Sequence, residues 1–240
     1  MKKEYIRIGC GDGISIPAII WGEPSECVFI YVHGKMSSKE YAEQLAEIAD
    51  GYGIQTLSFD LPGHGERANL CSACRVEPCD VWHGLRDLEA VGEFADTRWE
   101  RQWLFACSLG AYFSLHAYRE RRFERCIFQS PIVDMEYLIG KMFEWSGTTP
   151  DELRERKFIA TRIDTLSWDY YSWVLSHPVT RWDKPTSILY AGRDQLQSRE
   201  VIDSFCRRFN AKLTVSPGSD HPFMEPGDAS IIDSFIRNSI

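Results

Sequence analysis

The chain alternates short apolar runs, rich in β-branched and aromatic residues, with longer stretches whose apolar residues recur every three or four positions. The short runs indicate strands and the longer stretches indicate amphipathic helices. Strands alternating with crossover helices predict an α/β fold, with a mainly parallel sheet covered by helices on both faces. The predicted strands are Tyr5–Ile8, Ile14–Trp21, Val28–Val32, Gln55–Phe59, Trp103–Ala106, Cys126–Gln129, Ser187–Ala191 and Lys212–Val215.

The connections between these strands show three kinds of pattern. A Gly-rich turn at residues 9–13 joins the first two strands, which predicts an antiparallel hairpin at the start of the sheet. Apolar residues at helical spacing in residues 41–49 and 85–94 predict crossover helices. A third such pattern, in residues 229–240, predicts a final helix that closes the flank of the sheet.

Residues 132–185 separate two predicted strands by far more than one crossover helix needs. We therefore expect a single domain over residues 1–240, with residues 132–185 inserted as a small helical cap. Thr149, Pro150 and Glu152 predict a helix start inside it. The cap's tryptophans either pack it onto the body or line an apolar substrate pocket. The candidate pocket residues are Met36, Trp145, Trp168 and Trp173.

Composition and charge narrow the classes of partner. Apolar residues make up 44% of the chain, which is enough to bury a sizeable core. The net charge of −8 argues against binding to nucleic acid or to an anionic membrane surface, because both need a basic face. The N-terminal residues carry charge before any apolar segment develops, and no long apolar run follows, so a cytoplasmic protein is expected.

The chain has eight cysteines, which we expect to be free thiols in a chain of this length without an export signal. Cys71, Cys74 and Cys79 form the one cluster in which a zinc or redox site is conceivable, with His64, Asp80 or His83 as a fourth ligand. Only one pair in this cluster has the spacing typical of zinc sites, so no metal is expected.

The strongest chemical motif is an apolar strand that runs into a helical stretch through Ala106-Cys107-Ser108-Leu109-Gly110. This is the pattern of a nucleophile elbow, in which a sharp turn exposes the central serine. The residues two before and two after the nucleophile must be small, and Ala106 and Gly110 meet that condition for Ser108. Cys107 does not fit as nucleophile, because Phe105 and Leu109 would then occupy the small positions.

A serine hydroxyl needs a base, and the base is oriented by an acid. Behind such an elbow the order along the chain is serine, acid, histidine. His221 lies in a loop after the last strand and is the predicted base. Asp194, in a Gly-containing turn after a strand, is the predicted acid, and Asp134, after the preceding strand, is the alternative.

Acyl transfer also needs two N–H groups that stabilise the oxyanion. The amide of Leu109, at a helix N-terminus just after the nucleophile, is one predicted donor. The other is expected in the loop after the third strand, where Gly34 permits a tight turn before Lys35. The amide of Lys35 is therefore the second predicted donor.

Taken in order, these motifs resemble those of the α/β-hydrolase superfamily. The matching segments are His33-Gly34, the turn at residues 60–66 (DLPGHGE), the Ser108 elbow, Gly192-x-Asp194 and His221. The resemblance is to small bacterial intracellular members with a helical cap, and it implies an eight-stranded sheet and a covalent acyl-enzyme route. It also implies that the residue 60–66 turn, with His64, is architectural.

The sequence therefore predicts a serine hydrolase that cleaves a carboxylic ester with a small or medium acyl group and uses no cofactor. A thioesterase or acyltransferase with the same triad is the nearest alternative. A third hypothesis is a catalytically silent scaffold that binds a small molecule or a partner.

Overall fold

The computed structural model of the protein describes residues 1–11, 13–68 and 77–240. Its sheets are built from ten strands in the described residues. They are β1 (Lys3–Gly9), β2 (Ser15–Trp21), β3 (Cys27–Val32), β4 (Gln55–Phe59), β5 (Arg101–Cys107), β6 (Arg125–Gln129), β7 (Phe158–Ala160), β8 (Thr165–Ser167), β9 (Thr186–Ala191) and β10 (Lys212–Ser216). Each of the eight predicted strands is present, with its ends within two residues of the predicted ones.

The main sheet has the strand order β1-β2-β4-β3-β5-β6-β9-β10. β2 pairs antiparallel with both β1 and β4, whereas the remaining pairs of this sheet are parallel. The carboxyl ends of the parallel strands therefore share one edge, where their loops meet. The prediction of a mainly parallel, eight-stranded α/β sheet is confirmed.

Helices cover both faces of this sheet. They are α1 (Glu43–Asp50), α2 (Val81–Asp96), α3 (Leu109–Ala117), α4 (Met135–Ser146), α5 (Pro150–Arg156), α6 (Trp168–Ser176), α7 (Arg199–Phe209) and α8 (Asp228–Ser239). Side chains alternate along a strand, so Phe29 packs with α1 and α8 in one apolar core, while Val28 and Ile30 pack with α2 and α3 in the other. None of the helices in the described ranges is both long and apolar enough to cross a membrane.

The inserted segment, residues 132–185, lies between β6 and β9 and contains more than helices. The predicted helix start is present, because Thr149 and Glu152 form a reciprocal capping box at the first turn of α5. The antiparallel hairpin β7–β8 follows α5 and was not predicted. Its strands have three residues each, which is too short for an alternating pattern to be recognised. That residues 132–185 act as a cap over the site stays a prediction.

Candidate active site

Ser108 lies between β5 and α3 in a backbone conformation that few side chains adopt, with φ 47° and ψ −118°. Such strain persists only where the surroundings fix it. The Ser108 amide donates to the Gln129 carbonyl at 3.1 Å, and the Ser108 carbonyl accepts from the Ile132 amide at 3.1 Å. Both neighbours belong to the β6 end of the sheet, so the elbow is held by backbone hydrogen bonds.

The requirement for small residues around Ser108 has a direct geometric cause. A Cβ added to Gly110 would lie 2.4 Å from the His33 carbonyl oxygen and 2.6 Å from that of Val32. A Cβ added to Gly34 would lie 3.0 Å from the Ser108 Cβ. The helix start and the loop after β3 can therefore approach the serine this closely only because both positions are glycine.

His221 and Asp194 complete a line of hydrogen bonds with Ser108. The Ser108 Oγ lies 2.7 Å from His221 Nε2, and His221 Nδ1 lies 2.7 Å from Asp194 Oδ2. Because the carboxylate can only accept, Nδ1 carries the proton toward Asp194, and Nε2 is left to accept the proton of Ser108. The structure thus brings together the three residues predicted as nucleophile, base and acid; their catalytic roles stay predictions.

The Asp194 side chain is fully buried and held by its own turn. Its Oδ1 accepts the amides of Leu196 at 2.7 Å and Gln197 at 3.2 Å, which leaves Oδ2 for the histidine. Asp134, the alternative acid, is exposed and instead accepts the Tyr137 amide as the N-cap of α4. The geometry therefore favours Asp194 over Asp134 as the partner of His221.

The loop that carries His221 is fixed by residues that the sequence reasoning did not select. Buried Ser219 donates from Oγ to Asp228 Oδ1 at 2.5 Å, and the Ser219 carbonyl accepts the Arg193 amide at 3.1 Å. Buried Phe223 has φ 51°, which turns the chain back two residues after His221. The run Ser-Pro-Gly-Ser, residues 216–219, signals a turn but does not reveal that Asp228 anchors it.

The two predicted oxyanion donors belong to two different elements next to Ser108. The Leu109 amide is the first of α3, and the Lys35 amide follows Gly34 in the loop after β3. Neither amide donates to another residue in the described part of the chain. Both are thus available to a ligand, as an oxyanion hole requires.

His33 braces the loop that carries Lys35. The ring is completely buried, its Nε2 accepts the Leu61 amide at 3.0 Å, and its Nδ1 donates to the Gly34 carbonyl at 2.6 Å. Burial lowers the pKa of His33 to about 3, so the ring stays neutral and keeps one donor and one acceptor. His64, predicted to be architectural, donates to the Pro62 carbonyl within its own turn.

Cys107 is chemically unsuited to replace Ser108. Burial raises the pKa of its thiol to about 12, so the reactive thiolate is scarce near neutral pH. The six described cysteines are free thiols, whereas Cys71 and Cys74 of the proposed metal cluster lie outside the described residues. No group of metal ligands occurs within residues 1–11, 13–68 and 77–240.

The candidate pocket residues have different surroundings. Trp173 stacks on His177 with the ring centroids 4.3 Å apart and also contacts His116, which is a packing arrangement. Trp168 packs against Tyr171 inside the insertion. Trp145 is 46% exposed and lines an open cavity, and Met36 is 89% exposed beside Lys35. Their roles as pocket residues stay a prediction.

No protein-family model and no curated protein sequence matches this chain. Solved structures, however, share its architecture over nearly the whole chain. The chain is similar to Est1E from Butyrivibrio proteoclasticus, solved with ferulic acid bound (20% identity, 97% of this chain and 96% of that chain, TM-score 0.80). It is also similar to the Pyrococcus furiosus esterase Pf2001, with 18% identity over 99% of this chain and 91% of that chain and a TM-score of 0.69. A thioesterase domain from the curacin biosynthetic pathway is similar as well, with 14% identity over 99% of this chain and 100% of that chain and a TM-score of 0.63.

Proposed function

The chain has the α/β-hydrolase fold, and we propose that it is a serine hydrolase of carboxylic esters with Ser108 as nucleophile. The observation that carries the proposal is the hydrogen-bonded line from Ser108 through His221 to buried Asp194, built at the strand ends where this fold places its chemistry. Two of the similar structures are named as an esterase and a thioesterase, which supports the same reaction class.

The proposed reaction begins when His221 Nε2 takes the proton of Ser108 as Oγ attacks the ester carbonyl carbon. The carbonyl oxygen becomes an oxyanion and accepts hydrogen bonds from the amides of Leu109 and Lys35. When this intermediate collapses, the bond to the leaving alcohol breaks and His221 returns the proton to that alcohol. Asp194 holds the ring in the required tautomer and stabilises its positive charge throughout.

The second half of the reaction repeats these steps with water. His221 accepts a proton from water while the water oxygen attacks the acyl carbon bound to Ser108. Collapse of the second oxyanion releases the carboxylic acid and returns the proton to Ser108. A thiol leaving group, or an acceptor other than water, would use the same residues, so a thioesterase or acyltransferase is the second candidate.

An active-site probe tests the proposal without knowledge of the substrate. In the expected result, a fluorophosphonate loses fluoride to the attack of Ser108, and mass spectrometry finds the phosphonyl group on the peptide that contains Ser108. The control is Ser108→Ala, which should not react, and a folded wild-type protein that also fails to react would indicate a silent scaffold. Comparing p-nitrophenyl esters with acyl-CoA thioesters of equal acyl length by kcat/KM then separates the two hydrolase candidates.

A further inference from the structure

A cavity of about 500 Å³ lies between the end of α4, the β7–β8 hairpin and the loop after Asp194. Four apolar residues contribute to its walls. They are Met142, Trp145, Ile163 and Leu196. Ile163 and Trp145 are large apolar side chains with 41% and 46% of their surface exposed. Exposed apolar side chains gathered around one concave space are typical of a surface that is covered by a ligand.

Two segments of the cavity lining are linked to the candidate active site through neighbouring residues. Leu196 donates its amide to Asp194 Oδ1, while Oδ2 of the same carboxylate contacts His221. On the other side, Ile163 precedes Asp164, whose carboxylate forms an ion pair with the Lys35 ammonium. Lys35 also carries one of the two proposed oxyanion amides. The cavity is therefore lined by the segment that follows Asp194 and by the β7–β8 turn, which pairs with the loop that carries Lys35.

The lining of the cavity carries a positive charge and no negative one. Arg162 is the only ionisable residue in its lining, and no carboxylate within residues 1–11, 13–68 and 77–240 forms an ion pair with it. Of the nearby cations, Lys35 pairs with Asp164 and Arg154 pairs with Asp151, whereas Arg156 also forms no ion pair within the described ranges but lies outside the cavity lining. In a chain of net charge −8, a guanidinium that lines an apolar cavity and forms no ion pair with a described carboxylate is complementary to an anion.

We propose that this cavity binds the part of the ester remote from the scissile bond, and that this part is an apolar segment ending in a carboxylate or phosphate that pairs with Arg162. The inference rests on the proposed serine-hydrolase function and adds its substrate class. The apolar walls provide affinity in proportion to the buried surface, and Arg162 provides selectivity for charge.

The test compares matched substrates and matched variants. The p-nitrophenyl monoester of suberic acid carries a terminal carboxylate, and its methyl ester carries none. We expect the wild type to prefer the anionic ester by about 5-fold in kcat/KM, as a partly exposed ion pair allows. Arg162→Gln should lower kcat/KM for the anionic ester to the value for the neutral ester. Arg156→Gln, an equal loss of charge on exposed α5, should keep the preference.

A second pair of substrates distinguishes the two sides of the ester. The 4-carboxyphenyl and 4-carbamoylphenyl esters of octanoic acid place the charge on the leaving group, so a preference confined to this pair would assign the cavity to the alcohol side. The preference should also fall as the salt concentration rises from 0.05 to 0.5 M, at which added ions screen exposed charges. Equal hydrolysis of all matched pairs, or equal effects of Arg162→Gln and Arg156→Gln, would overturn the inference.

A binding measurement keeps this inference separate from the proposed reaction. Calorimetry with Ser108→Ala protein and monomethyl suberate should give binding that Arg162→Gln weakens by about 5-fold, whether or not the wild type hydrolyses any ester. Binding in the absence of hydrolysis would contradict the hydrolase and retain the anion site. Hydrolysis of neutral esters with no carboxylate binding would retain the hydrolase and contradict the anion site.

Discussion

Two regions of the molecule position their residues by different means. One is the set of loops after β3, β5, β9 and β10, the strand-end loops, and the other is the insertion, residues 132–185. Ser108 and Asp194 are held mainly by backbone hydrogen bonds, and the surroundings of Ser108 leave no room for one additional carbon atom at Gly110. The two ends of the insertion also meet the body through backbone hydrogen bonds, but inside it the contacts of Trp173 with His116 and of Asp164 with Lys35 are made by side chains. We infer that the proposed reaction depends on the strand-end loops, whose geometry is fixed, while the insertion contributes to the choice of substrate.

The largest effect that we predict is the loss of activity on substitution of the proposed triad in the strand-end loops. Ser108→Ala and His221→Ala should each lower kcat for the best ester by roughly 10⁴ to 10⁶, and the double variant should be little worse, because the two groups act in one step. Steady-state kinetics and circular dichroism check this together. Additive losses, or an active Ser108→Ala protein, would show that the two residues do not share a step.

Asp194→Asn should have the next largest effect, a loss of roughly 10⁴ in kcat with the fold retained. An asparagine can present its amide N–H toward Nδ1, which favours the tautomer that has its proton on Nε2 and cannot accept from Ser108. The matched variant is Asp134→Asn, which alters only the exposed cap of α4 and should keep activity within a few-fold. If Asp134→Asn were the inactive protein, the acid would be assigned to Asp134.

The sequence predicts the strand-end loops better than it predicts the insertion. The elbow, the acid turn and the histidine loop follow from local rules, since small residues, glycine turns and strand ends can be recognised in short segments. The anchoring of the His221 loop by Asp228, the β7–β8 hairpin and the Lys35–Asp164 pair could not be predicted in this way. The hairpin strands are too short to show an alternating pattern, the Ser219–Asp228 bond spans nine residues without a local motif, and the Lys35–Asp164 pair joins positions 129 residues apart.

The same substitution, Gly→Ala, can be made in the elbow and in the insertion to compare how much each region tolerates one added methyl group. Gly110→Ala should lower the free energy of unfolding by about 3 kcal/mol and reduce activity, because its methyl group meets backbone oxygens that cannot move away. Gly140→Ala, inside α4 with open space around the new Cβ, should raise the free energy of unfolding by about 0.5 to 1 kcal/mol. Denaturant unfolding measures both, and equal destabilisation would argue against the rigid elbow.

Two tryptophans test whether the insertion itself divides into a packed part and a substrate-facing part. Trp173 lies between His116 and His177, so Trp173→Ala should lower the free energy of unfolding by about 2 kcal/mol and affect all substrates alike.

Trp145 is 46% exposed at the open cavity, so Trp145→Ala should change stability by no more than about 0.5 kcal/mol. It should lower kcat/KM for octanoyl esters relative to acetyl esters by about 3-fold, because only a long acyl group can reach that apolar wall. Melting temperatures and kcat/KM for p-nitrophenyl acetate, butyrate and octanoate separate the two variants. If both lowered the melting temperature equally and left chain-length preference unchanged, both tryptophans would be packing residues, and the substrate would have to be selected by the strand-end loops themselves.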